Sequence, residues 1–292
     1  MIVRRITFLI GEKGLPAWAL NRLKVLAGYF RSMVVMRNVS QCKWADVTQP
    51  MRMMTLGTRP SELCQILIEG ADAELAAIVL TDFIDEHCLL VQGGQRHVPF
   101  SVVAPAFALP FACLWDSVPF SFQPDTDVTL DKRVLLSVMA DCVAAKQAAI
   151  SNDSANDSAN NSADEAADAD QPLNTALLKQ LLAREAVSST CMGNGIALPH
   201  VMSPLVTCPH VVSMPLTQPL DWGSNRGPVT RVIGLVLPHP PQRPHLMAFS
   251  AFSQALLNPD FCHILADNDQ TEVLEAIIKH TLAMPFQGQA ER

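Results

Sequence analysis

Leu181–His200 reads LLAREAVSSTCMGNGIALPH. It holds an Arg184-Glu185 pair, a hydroxyl cluster at Ser188, Ser189 and Thr190, a Gly193-Asn194-Gly195 turn, and His200 directly after Pro199. Together these residues suit one task, holding a phosphoryl group on an imidazole. A neutral ring nitrogen is a nucleophile near neutral pH, because the ordinary histidine pKa is about 6.5. Phosphoryl transfer asks the protein mainly for in-line approach and for groups that spread charge on the equatorial oxygens. Arg184 offers a guanidinium fork, and Ser189 and Thr190 offer hydroxyls. Gly193, Asn194 and Gly195 allow backbone amides to converge as an anion nest. Pro199 stiffens the approach to His200. A histidine in a Pro-His loop is by itself an ordinary surface residue, so the reading rests on the whole pattern. Glu185 reads as an exposed helix charge or a supporting ion-pair partner.

The flanks supply the scaffold. Leu173–Ala183 is an amphipathic helix leading into the stretch. Upstream, Leu130–Ala149 places Val134, Leu135, Val138, Met139, Cys142 and Val143 at helical spacing. Between the two helices, Ser151–Gln171 (SNDSANDSANNSADEAADADQ) is acidic and has no large apolar side chain. Such a segment buries too little surface to offset its ordering entropy, so a disordered loop interrupting one domain is expected at 151–171. Downstream, Val211–Leu216 and Val232–Leu237 read as strands, and His245–Leu257 and Glu272–Leu282 as helices. The result is a mixed sheet flanked by helices.

The N-terminal third alternates independently. Ile2–Ile10, Met33–Val39 and Leu63–Glu69 read as strands; Ala17–Phe30, Val47–Met54 and Ala71–Glu86 read as helices. The order β-α-β-β-α-β-α predicts helices packed on one side of an antiparallel sheet, an open-faced sandwich. The fold class is therefore α/β with two domains: 1–90, an apolar connector 91–119 packing between domains, and 120–288.

Composition agrees with a chain able to bury cores, with 49% hydrophobic and 17% charged residues. The net charge of −7 falls almost wholly after residue 95, and no basic block points to nucleic acid or an anionic membrane. The apolar stretch Phe100–Phe120 is broken by Pro105, Pro110 and Pro119, which argues against membrane insertion. The N-terminal MIVRRITFLI breaks at Gly11-Glu12-Lys13 and reads as a first strand, not a signal peptide. Eight scattered cysteines without CxxC or zinc spacing read as thiols in a reducing compartment, so a cytoplasmic protein without metal or cofactor is expected. His210, His239 and His263 read as structural or exposed.

The Leu181–His200 stretch resembles the active-site segment of the fructose/mannitol/nitrogen-regulatory class of phosphotransferase-system (PTS) IIA proteins, roughly R-E-x-x-x-S-T-x-x-G-N-G-[IV]-A-[IV]-P-H. The likeness is dense over about twenty positions. It implies that His200 carries the phosphoryl group. It also implies that His245, in Pro244-His245-Leu246, sits beside His200 and orients it or contacts the phosphoryl group. Two positions depart from the pattern: Val201 stands where the family usually has glycine, and Cys191-Met192 replaces a small-residue pair.

Residues 1 to about 90 resemble the histidine-containing phosphocarrier HPr, through Gly14-Leu15, Thr55-Leu56-Gly57 and Glu69-Gly70 in the same element order. HPr carries G-L-H-[AT]-R-P-A at the start of its first helix. Here Pro16 stands in place of the histidine and Trp18 in place of the arginine. Proline cannot form a phosphoramidate, and losing the arginine removes a bidentate phosphate partner. Pro16 suits the first helical position, so the helix is kept while the reaction is lost. Gln49 aligns with the regulatory serine of HPr. The resemblance implies a degenerate HPr-like domain kept for interaction, with Trp18 as an anchor for a partner or for its own chain.

These readings imply an EIIA-type phosphocarrier for sugar uptake or PTS regulation. Its expected donor is phospho-HPr or a paralogous carrier, and its acceptor a IIB domain or a regulatory target. The alternative is a non-catalytic regulatory protein that docks PTS partners or targets.

Overall fold

The computed structural model describes residues 2–93, 107–118, 131–155 and 171–287. Its first elements are β1 (Ile2–Ile10), α1 (Ala17–Ala27), β2 (Met33–Asn38), β3 (Lys43–Asp46), α2 (Pro50–Thr55), β4 (Leu63–Gly70), α3 (Ala73–Asp85) and β5 (Cys88–Gly93). Then come β6 (Leu114–Ser117), α4 (Lys132–Ala155), α5 (Leu173–Val187), β7 (Cys191–Gly193), β8 (Ile196–Ala197), β9 (His200–Ser203), β10 (His210–Leu220) and β11 (Val229–Pro238). Helices α6 (Arg243–Ala255), α7 (Pro259–Ala266) and α8 (Thr271–Ala283) follow. The chain forms two compact units, Met1–Leu109 with Asp267–Arg292, and Pro110–Ala266.

In the first unit the five strands run antiparallel in the order β3-β2-β4-β1-β5. One face carries Ile6, Phe8, Ile10, Val34, Met36, Ile66 and Ile68, which share a buried core with Leu20 and Leu23 of α1 and Ala76, Leu80 and Ile84 of α3. Period-two alternation puts the intervening residues on the other face. There the buried Gln65 donates to Thr7 Oγ1 (3.0 Å) and to Asn268 Oδ1 (2.9 Å). His280 of α8 meets Ser40 Oγ at 2.7 Å, and Arg37 pairs with Asp267 at 3.5 Å. The helices-on-one-face arrangement read from the sequence is present, and the C-terminal segment covers part of the second face. These side-chain pairs tie the segment from Asp267 onward to this sheet.

The stretch expected as a connector, 91–119, holds the end of one strand and the whole of another. Cys88–Gly93 pairs with β1, and Leu114–Ser117 pairs in parallel with β10; residues 94–106 lie outside the described residues. The acidic stretch also starts differently: α4 continues to Ala155, beyond the expected end at Ala149. The rest of the expected loop, 156–170, lies outside the described residues.

The second unit holds a mixed sheet, β6-β10-β11-β8-β7, with β9 also on β11. β8 and β9 are two pieces of one line. Ile196 lies opposite Arg231 and His200 opposite Leu235, with unbroken register between them. Pro199 has no amide hydrogen, so the ladder lapses there, and only its carbonyl bonds, accepting from Leu235 N at 2.9 Å. Ala197, Val201, Val232 and Val236 share a core with Leu135, Met139 and Val143 of α4 and Leu177 and Leu181 of α5. Gly234 lies against Met139 so closely that a Cβ there would overlap the thioether.

Candidate functional site

His200 opens β9 and is half-buried. Its Nδ1 lies 2.8 Å from the Leu198 carbonyl, which can only accept. The proton therefore sits on Nδ1 and leaves a lone pair on Nε2. That nitrogen faces Arg184, whose Nε is 3.3 Å away and Nη2 3.2 Å. Arg184 stands in the last turn of α5, and its Nη1 also donates to the Ser188 carbonyl (3.2 Å) and Oγ (3.0 Å). Ser188 thus holds the fork at Nη1 while its Nε–Nη2 edge faces the ring.

Of the two readings of Glu185, an exposed helix charge or a supporting ion-pair partner, the structure has the second. Glu185 is 7% exposed, and its carboxylate accepts from Thr190 N (3.1 Å) and Thr190 Oγ1 (2.5 Å) and pairs with Lys132 Nζ at 3.2 Å. Thr190 is correspondingly buried, with its hydroxyl committed to Glu185, and Ser189 Oγ accepts from Cys191 N at 3.3 Å. Sequence reading missed Lys132. Its one signal is a cation at the start of an apolar-faced helix, and what that cation meets is decided by folding.

Gly193, Asn194 and Gly195 all have positive φ, at 89°, 51° and 80°. Gly193 pairs with Ile196, so Asn194-Gly195 is a two-residue hairpin turn, the position for which this dipeptide is strongly preferred. The Gly195 carbonyl accepts from Thr230 N (2.8 Å) and Arg231 N (3.0 Å), tying the hairpin to β11. A run of three positive-φ residues serves the turn.

His245 is buried at the start of α6. Its Nδ1 accepts from Gln242 N at 3.3 Å, and its ring stands edge-on to Phe111 with centroids 4.7 Å apart. Because Nδ1 accepts, the ring's proton sits on Nε2, and desolvation pushes the pKa down. No hydrogen bond joins it to His200 among the described residues. Val201 has no left-handed backbone. It packs against the α4–α5 core, and strand alternation directs it away from the face of His200. His210 is also buried, within 3.3 Å of Gln147 Oε1, and desolvation pushes its pKa down to about 4.

In the first unit Pro16 caps α1 with φ −71°, one position before the helix proper, and its carbonyl accepts from Ala19 and Leu20. Trp18 is 61% exposed and stands edge-on to His87, with centroids 5.2 Å apart. It lines a groove of about 410 Å³ with Arg22, Val25, Phe83 and His87. Gln49 caps α2. No cluster of three or more His, Cys, Asp or Glu able to hold a metal occurs among the described residues, and no described helix is long and apolar enough to cross a membrane.

Residues 142–281 match the family model "Phosphoenolpyruvate-dependent sugar phosphotransferase system, EIIA 2". The fructose-like EIIA component of Escherichia coli strain K12 is 31% identical over 107 residues, which cover 36% of this chain and 72% of that protein. The chain belongs to the EIIA 2 family. Residues 5–86 also match the model "PTS HPr component phosphorylation site", so an HPr-like region precedes the EIIA region. A multiphosphoryl transfer protein of Escherichia coli O157:H7 is 33% identical over 141 residues, which span 48% of this chain and 16% of that protein. Among solved structures, nitrogen regulatory protein IIA-Ntr of Neisseria meningitidis is similar at 16% identity and TM-score 0.41, covering 56% of this chain and 92% of that one. HPr of Bacillus anthracis is similar at 22% identity and TM-score 0.25, covering 28% and 94%. The EIIA match extends through residue 281 and so includes α8, the helix that packs on the sheet of the HPr-like unit.

Proposed function

We propose that this EIIA protein is a phosphocarrier that takes a phosphoryl group on His200 Nε2 from a phosphohistidine donor of the HPr kind. The observation that carries the proposal is the pair of contacts on one ring, Nδ1–H to Leu198 O and Nε2 to Arg184. The Nε2 lone pair is thereby turned towards the arginine side of the ring. In the transfer, Nε2 attacks phosphorus, the donor's N–P bond breaks with its electrons returning to the donor imidazole, and the Nε2–P bond forms. The charge that develops on the His200 ring is shared through Nδ1–H with the Leu198 carbonyl. Arg184 moves its donors from Nε2 to the equatorial oxygens, the kind of charge stabilisation that dominates such reactions. Neutral His245, with its Nε2–H, is a further donor to the phosphoryl group, and Ser189, Thr190 and the Gly193–Gly195 hairpin shape the surround.

The HPr-like unit takes no phosphate in this reading, because Pro16 and Trp18 replace the two residues the chemistry needs. Its exposed Trp18 serves contact with a protein partner. The setting is cytoplasmic, with a fructose-type IIB domain or a regulatory target as acceptor. A second reading, regulatory docking without transfer, is favoured by the same two replacements. The deciding experiment is intact-mass analysis after incubation with phosphoenolpyruvate, enzyme I and HPr. One added phosphate, lost in His200→Ala, is expected. Labelling that persists in that variant overturns the site, and no labelling while other EIIA proteins label favours the docking reading.

A further inference from the structure

Two ring nitrogens of His200 are held by two consecutive residues of one helix. Arg184 reaches Nε2 directly. Glu185 reaches Nδ1 through a relay: its carboxylate accepts from Thr190 N and Oγ1, the Thr190 carbonyl accepts from Leu198 N at 2.9 Å, and the Leu198 carbonyl accepts from His200 Nδ1 at 2.8 Å. Behind the carboxylate stands Lys132. Its Nζ lies 3.2 Å from Glu185 Oε1 and 3.0 Å from the Trp222 carbonyl, and 5.8 Å over the ring of the fully buried Trp222. We propose that Lys132 and Glu185 are a positioning pair that sets the tautomer and orientation of His200, a role that rests on reading His200 as the phosphoryl acceptor.

The physical grounds are burial and connectivity. The Glu185 side chain is only 4% exposed, and a carboxylate so placed is stable as an anion only where its bonds are met. Three protein donors meet them here. Two come from Thr190, whose backbone begins the turn into β7, and one from α4, so the carboxylate ties the end of α5 to the segment carrying the Leu198 carbonyl. If that tie slackens, the acceptor for Nδ1–H shifts and the last turn of α5 shifts with it, so both contacts on the imidazole degrade together. A misplacement of about 1 Å at a reacting group costs on the order of a hundredfold in rate. Neither Lys132 nor Glu185 touches the imidazole, so each acts through others.

The test uses the full chain with Glu185→Ala, Glu185→Gln, Lys132→Met and Thr190→Val. Long-range proton–nitrogen correlation NMR reads the His200 ring in the unphosphorylated protein, with His200→Asn to assign its signals. Phosphoryl uptake from phospho-HPr is timed alongside, and thermal unfolding screens each variant. Wild type is expected to show the Nδ1–H tautomer alone. Glu185→Ala, Lys132→Met and Thr190→Val are expected to show a tautomer mixture and uptake slowed about tenfold or more. Glu185→Gln, which keeps an acceptor for Thr190, is expected to recover much of the wild-type ring signature. Thr190→Val nearly preserves shape, so it decides the matter if Glu185→Ala unfolds. Folded variants with a wild-type ring spectrum overturn the proposal. Wild type that takes up no phosphate overturns the acceptor reading instead, and the ring spectra still decide the positioning pair.

Discussion

Replacing His280 with leucine should flatten the acid sensitivity of the HPr-like unit. His280 is 1% exposed, lies 2.7 Å from Ser40 Oγ and stands edge-on to Phe107. Desolvation pushes its pKa down to about 4, against about 6.5 in an unfolded chain. With the folded value the lower of the two, the unfolded chain takes up the proton first. The stability due to neutral His280 is therefore complete above about pH 6.5 and is lost as pH falls towards about 4. Integrating between those values, wild type loses roughly 2–3 kcal/mol from this one group between about pH 7.5 and pH 4.5. His280→Leu lacks that loss. At neutral pH it forfeits roughly 1 kcal/mol for the Ser40 hydrogen bond, while Ser40 Oγ still accepts from Leu63 N. The assay is urea unfolding at several pH values, read by pulsed hydrogen exchange on a peptide covering Leu63–Gly70, so that only the first unit reports. Other titrating groups cancel in the comparison of variant with wild type. Parallel loss of stability in the two proteins over that range would refute the argument.

Arg184→Gln should slow phosphoryl uptake by about a hundredfold to a thousandfold, the usual cost of removing one charge-stabilising donor, with little change in unfolding temperature because Arg184 is partly exposed; stopped-flow labelling by phospho-HPr measures it. Gly234→Ala should destabilise the second unit by about 1–3 kcal/mol, because its Cβ overlaps the Met139 thioether. Denaturation read by hydrogen exchange on a peptide covering Val229–Pro238 checks this, and a neutral result would mean that the Met139 side chain turns aside freely.

The fold was legible where chemistry is local. The apolar run of Ile2–Ile10 broken at Gly11 and the helical spacing in Val134–Val143 name their elements because such patterns are properties of the segment alone. The Asn194-Gly195 hairpin was visible as a turn for the same reason. Strand β6 stayed hidden in an apolar, proline-rich stretch, since four residues pairing with β10 carry almost no local signal. The pairing of the C-terminal segment carried no local signal either: Asp267, Asn268 and His280 find Arg37, Gln65 and Ser40 more than 200 residues away.

The same boundary runs through the site. Sequence alone determined which residues could do chemistry: an arginine, a proline-led histidine and a missing nucleophile at Pro16 are facts of composition and order. Tertiary structure decided what each one faces. It buried Glu185 beside Lys132, brought Arg184 to one ring nitrogen and a backbone carbonyl to the other, and turned Val201 into the core. The physical reason is that hydrogen bonds and burial depend on distances of a few ångströms between residues remote in sequence, and those distances exist only once the helices have packed on the sheet.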